Sequence, residues 1–259
     1  MGLAKKISCC GLVLFTLFNA LCYSQNRVMK KHKGTFCSIA FGGMNYSQLA
    51  GVDGAERRTY INDLVEDLRK KGADASGGIY PRIGGYCGLQ SSFFYTNRFA
   101  LTGEVSYSQK GYRENLYFHF SDTTYSSSIK LRADYLDFSL GIKYQSDYKI
   151  SIYLGAMLGI IMHDKVKYRY EAKNDTLSIQ QNETLYINQY YKVNRNLYLP
   201  GYVWGIMFDL KKNWGINLRV QKSANIFAET LEQKFLLFQI GIVYRYFDTS
   251  SANYHFQRD

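Results

Sequence analysis

Near its C-terminus the chain reads Phe238-Gln239-Ile240-Gly241-Ile242-Val243-Tyr244-Arg245-Tyr246-Phe247, with apolar side chains recurring at every second position. A two-residue period sends alternate side chains to opposite faces of an extended strand. Beyond the first 24 residues no stretch approaches the 18 consecutive apolar residues that a membrane-crossing helix needs. A chain that enters lipid without such a helix must close its strands into a ring, because every backbone N–H and C=O needs a partner there.

The same period recurs along the chain. In residues 148–163 one face carries Ile150, Ile152, Leu154, Ala156, Leu158, Ile160 and Met162; the other carries Lys149, Ser151, Tyr153, Met157, Ile161 and His163. Phe99, Leu101, Val105 and Tyr107 oppose Thr102, Glu104, Ser106 and Lys110. Leu136, Phe138, Leu140, Ile142 and Tyr144 oppose Asp137, Ser139 and Lys143, and Trp214, Ile216, Leu218 and Val220 oppose Asn217, Arg219 and Gln221. Residues 35–46, 79–94, 191–210 and 235–247 complete eight segments. In 191–210 the apolar face (Val193, Leu197, Leu199, then Trp204, Ile206, Phe208, Leu210) slips by one residue at Pro200-Gly201, which predicts a bulge.

Connections of four residues at 95–98, 146–149 and 211–214 alternate with longer polar ones at 47–78, 113–130, 171–190 and 224–233. All short turns then fall at one end and all long loops at the other, the asymmetry of barrels in outer membranes. The predicted fold is all-β, an eight-stranded antiparallel up-and-down transmembrane β-barrel over residues 35–247. A soluble lipocalin-like barrel alternates too, with its apolar side chains turned inward.

Lys5 and Lys6 precede a short apolar run at 10–18, and Cys22-Tyr23-Ser24 offers small residues for cleavage before Gln25. Residues 1–24 thus read as a signal peptide, 25–34 as a periplasmic lead-in and 248–259 as a C-terminal tail. Twenty-four tyrosines and 16 phenylalanines against two prolines suit strands and membrane–water boundaries. The formal charge is +11, with the cations scattered rather than gathered on one helix. That argues against a nucleic-acid partner and for anionic outer-membrane lipid, lipopolysaccharide above all, or an acidic component of an envelope protein complex.

Gln239, Gly241, Tyr244 and Tyr246 resemble the polar, glycine and aromatic positions of the signal that such terminal strands present to the barrel-assembly machinery. Three further stretches resemble the PorT-like family of outer-membrane β-barrels: Gly42-Gly43-Met44-Asn45-Tyr46-Ser47, the segment from Leu101 to Gly111 with Glu104-Val105-Ser106-Tyr107-Ser108-Gln109-Lys110-Gly111, and Tyr135-Leu136-Asp137-Phe138 leading to Lys143-Tyr144, which lacks the family's usual proline. The resemblance implies a barrel of the Gram-negative cell envelope, with some relatives serving secretion or gliding machineries; the eight-stranded ring itself reads as a monomer. The resemblance implies no mechanism.

An eight-stranded barrel has an interior that side chains can fill. Arg82, Glu104, Asp137, Lys143, Lys149, Asp209, Arg219 and Arg245 are expected to point inward as a mutually neutralising network, with Tyr86, Tyr135 and Tyr153 filling space above small glycines. Such a network plugs the barrel; the rival is a selective ion path. Cys37 and Cys87 are a candidate disulfide if the first two strands pair evenly. In the first long loop, Ile61, Leu64, Val65 and Leu68 form a helical stripe between Thr59 and Gly72, a lid on the rim or a docking surface. The histidines His32, His119, His163 and His255 have neither triad nor metal-ligand spacing, so no enzyme, metal or cofactor is expected.

Overall fold

The computed structural model describes residues 33–146, 149–174, 176–187, 189, 196–210, 213–226 and 233–249. The expected signal peptide and most of the lead-in and tail lie outside the described residues, as do Val193, His32 and His255. Ten elements follow in order: β1 (Thr35–Ala50), α1 (Val52–Lys70), β2 (Asp74–Phe94), β3 (Phe99–Phe120), β4 (Thr123–Gln145), β5 (Ile150–Lys173), β6 (Ser178–Leu185), β7 (Tyr198–Asp209), β8 (Trp214–Asn225) and β9 (Lys234–Asp248).

Eight strands form a closed antiparallel ring, β1-β2-β3-β4-β5-β7-β8-β9, sealed where the terminal strand meets the first. Gly43 stands opposite Gly241 and Ala40 opposite Tyr244 along that seam. The outward faces are apolar: Leu140, Ile142, Ile152, Leu154, Ile240 and Ile242 are all exposed. The inward faces hold Glu104, Asp137 and Arg219, all buried. A water-soluble barrel would have the reverse arrangement, so the lipocalin-like alternative fails on the direction of the side chains.

Two expected loops are strands. The β3–β4 ladder runs unbroken from Phe99 opposite Tyr144 to Phe120 opposite Thr123, leaving only Ser121 and Asp122 as a turn where residues 113–130 read as loop. Likewise β5 continues to Lys173 and folds back as β6, a ninth strand outside the ring that pairs with Val166–Lys173. The reason is physical. Above the membrane the outward face meets water, so it becomes polar and the apolar alternation fades. At about 3.3 Å per residue, β3 is some 70 Å long, roughly twice the 9–11 residues that cross a bilayer.

The phase slip lies elsewhere too. β7 passes Pro200-Gly201 in unbroken register with β5, and Leu199 points inward, fully buried. Bulges occur instead at Tyr246 of β9 opposite Ser38/Ile39, at 81–86 in β2, at Met162 of β5 opposite Asp134/Tyr135, and at 222–225 in β8. The third of these turns His163 outward and brings Asp164 inside in its place.

Helix α1 starts at Val52, seven residues before the expected cap at Thr59. Gly51, at φ 95°, makes the entry turn directly from β1, and Gly72, at φ 85°, ends it where expected. Ile61 and Val65 pack on Ala75, with Leu68, Ile79, Leu116 and Phe118 around them.

If Leu154 faces the acyl chains, Leu154→Arg will destabilise the folded barrel by about 2–4 kcal/mol. Equilibrium unfolding from lipid vesicles in guanidinium measures this; parity with the parent would reverse the inside–outside assignment.

Candidate functional site

Small polar and aromatic side chains alternate into the lumen because the strand period puts every second residue there. They stack in layers from the end bearing the short turns. In the lowest layer Arg245 donates to Asp209 at 2.8 Å, its Nε lies 3.8 Å from Asp248, and Lys143 is buried beside them. Phe94, Ala100, Met207 and Val243 pack the space around.

The middle layer centres on Arg219. Its Nη2 donates to Glu104 Oε1, and Glu104 also accepts from Gln90 and Ser106. The guanidinium lies 4.8 Å from the Phe41 ring, 5.8 Å from Tyr86 and 5.6 Å from Tyr153. A cation held by three rings and a carboxylate is stabilised although water is excluded. Space for the rings comes from glycine: a Cβ on Gly205 would stand 2.6 Å from the Tyr153 ring, and one on Gly241 would stand against the Tyr86 hydroxyl.

One layer higher, Lys110 Nζ bonds Asp137 Oδ1 at 2.8 Å and sits 4.3 Å from the Tyr135 ring, while Ser108 donates to the second Asp137 oxygen. Both members of this pair are fully buried. Above it the lumen turns apolar: Leu49, Tyr112, Leu131, Val166, Leu199 and Phe235 form a roof. Ile79 packs against this roof and against the α1 cluster alike, so the helix continues the seal over the mouth. Arg57 clamps it with a two-pronged bond to Glu114 at 2.7 and 3.1 Å. On the exposed side of α1, Lys71 bonds Asp67 at 2.8 Å and holds that carboxyl below its ordinary range.

A family model for the outer membrane protein β-barrel domain matches residues 26–223. The chain belongs to that family. It is an outer-membrane barrel, with its short connections at one end and α1, β6 and the long strand extensions at the other. The chain is similar to Ail, the attachment invasion locus protein of Yersinia pestis, at 15% identity over 83% of this chain and 99% of that one, with a TM-score of 0.36. It is similar to neisserial surface protein A at 10% identity, covering 83% and 100%, TM-score 0.34. A third similar structure is OprG from Pseudomonas aeruginosa, at 13% identity, covering 85% and 99%, TM-score 0.32. No match was found among curated proteins.

Of the eight expected interior charges, Glu104 joins Arg219, and Asp209 joins Arg245; Asp137 and Lys143 are inside as well. Two depart from expectation. Lys149 stands in the β4–β5 turn at φ 59°, not on the strand. Arg82 is only half-buried, in the bulged stretch of β2, and donates to the Leu131 carbonyl at 3.4 Å rather than to the central layer. Lys110, the partner of Asp137, was legible as an inward residue but not as a partner, because partnership depends on cross-strand register. The candidate disulfide also falls to register: Cys37 stands opposite Ser92 and is buried, whereas Cys87 stands opposite Gly42 and is exposed, so the thiols lie on different faces and are free.

Removing one partner of a buried pair strands the other. Glu104→Gln and Arg219→Met are each expected to cost about 3–5 kcal/mol, and the double variant clearly less than their sum; a double-mutant cycle by denaturant unfolding tests the coupling. Gel mobility of the folded protein should be the same with and without reductant, since a bridge between Cys37 and Cys87 would alter it.

Proposed function

We propose that this barrel is a closed, PorT-like surface protein that works by binding or scaffolding other envelope components, as in a secretion or gliding assembly, and is neither an enzyme nor a pore. The observation that carries this reading is the filled lumen: two buried ion pairs, Glu104–Arg219 and Lys110–Asp137, lie beneath an apolar roof that α1 extends. A path for solute would have to break both pairs and part the roof. What remains accessible is the outer sheet of β2 to β6 and the polar side of α1, which suit contact with a partner. The terminal pattern of Gln239, Gly241, Tyr244 and Tyr246 supports insertion by the barrel-assembly machinery, and a closed ring needs no second copy to complete it.

A narrow channel is the second reading. It is favoured by one observation: Arg219 Nε and Nη1, the Tyr86 hydroxyl and Gln239 Oε1 are buried without a hydrogen-bond partner among the described residues. Such atoms call for water, and water in single file conducts ions or protons.

Planar-bilayer recording separates the two. The parent protein is expected to give no unitary conductance, and photo-crosslinkers at Tyr60 or Lys70 on α1 are expected to yield a discrete protein adduct in intact cells. Stable conductance steps together with no adduct would replace the scaffolding reading by the channel.

A further inference from the structure

The outward face of the strand extensions carries a block of cations that cross-strand pairing should oppose. In one row Arg113 on β3 stands directly opposite Lys130 on β4, and Lys130 opposite Lys167 on β5. In the adjoining row Arg132 stands opposite Lys165, and one step further out Arg169 faces Ser128. Like charges directly opposite destabilise a sheet. Among the described residues only two acids share this face: Asp134, which takes Arg132 in a two-pronged bond, and Glu171, which takes Arg169 at 3.0 Å. Arg113, Lys130, Lys165 and Lys167 have no carboxylate partner among the described residues, and Arg113, Lys130 and Lys167 are exposed.

Height locates the block. On β4 the apolar band runs outward from Tyr144 through Ile142, Leu140 and Phe138 to Leu136. Arg132 lies 12 positions beyond Tyr144 by sequence number. At about 3.3 Å per residue and a tilt near 40°, that is roughly 30 Å of height, just above an apolar band about 25 Å tall. The cations therefore lie on the β3–β5 side of the wall, where the headgroups of the outer leaflet begin. Tyr107, whose hydroxyl accepts from Gln109 at 3.2 Å, stands below them at the boundary, as aromatic girdle residues do.

We infer that the outward face of β3, β4 and β5, built on Arg113, Lys130, Arg132, Lys165 and Lys167, binds the phosphorylated sugar headgroup of the outer-leaflet glycolipid, lipopolysaccharide. The argument is charge complementarity at a fixed depth. Several unpaired cations in one plane match a headgroup bearing more than one phosphate, and bound anions remove the cross-strand repulsion that the bare sheet carries. The inward face of the same strands belongs to the roof and lid, so this site is separate from the lumen and does not rest on the scaffolding reading.

The test uses the full-length protein in phospholipid nanodiscs titrated with bisphosphorylated lipid A, dephosphorylated lipid A or inorganic phosphate, followed by native mass spectrometry. The parent is expected to retain bisphosphorylated lipid A, with weak retention of the dephosphorylated form and no displacement by millimolar phosphate. Lys130→Gln/Lys167→Gln should weaken retention tenfold or more, since each cation near an anionic surface contributes several-fold. Lys70→Gln on α1, outside the face, should leave it unchanged. Heat-modifiable gel migration verifies that each variant is folded; should the double variant not fold, Arg113→Gln takes its place. Equal retention of dephosphorylated lipid A, full displacement by inorganic phosphate, or a folded variant that binds like the parent would each overturn the inference.

Discussion

Everything in this barrel depends on the closure of its hydrogen-bonded ring. In lipid an unpaired peptide group costs several kcal/mol, so a strand edge cannot be left open. The seam between β1 and β9 removes the last edge, and it forms only between strands far apart in the chain. Once closed, the ring forces a second constraint: one face of every strand meets acyl chains, and whatever cannot do so must lie in a narrow interior. Outside the membrane the constraint lapses, and there the sheet opens, with β6 as a solvent-side edge on β5.

The interior resolves the problem of buried charge by pairing and by aromatic surfaces rather than by exclusion. Arg219 has Glu104 on one side and three rings around it; Lys110 has Asp137 and Tyr135. Such pairs add little net stability compared with apolar packing of the same shape, but they penalise any register that separates them. A slip of one residue would send Arg219 to the lipid and Leu218 to the lumen. The charges thus serve to specify the register while they fill the bore.

The extensions give the outer half a different character. Their inward faces continue the apolar roof and receive α1, and their outward faces are polar and basic. A single set of strands thereby carries a lipid-facing zone, a headgroup-level zone and a solvent-facing zone in succession, because the solvent around a straight strand changes with height while its two-residue period does not.

By itself the sequence determined the ring of eight, the direction of nearly every membrane-level side chain, the shortness of three connections at one end and the stripe of Ile61, Val65 and Leu68 on a helix. Those follow from period, length and turn chemistry, which are local. Only the tertiary structure decided the ninth strand, the length of β3 to β5, the four bulges, the pairing of Lys110 with Asp137 and the separation of Cys37 from Cys87. Residues 113–130 alternate less plainly because water bathes their outer face, and partnership across strands depends on register, which two residues distant in the chain cannot announce. The inward apolar roof was hidden for the same reason: Leu131, Leu199 and Phe235 look like lipid-facing residues until the ladders show which face they share with Asp137 and Arg219.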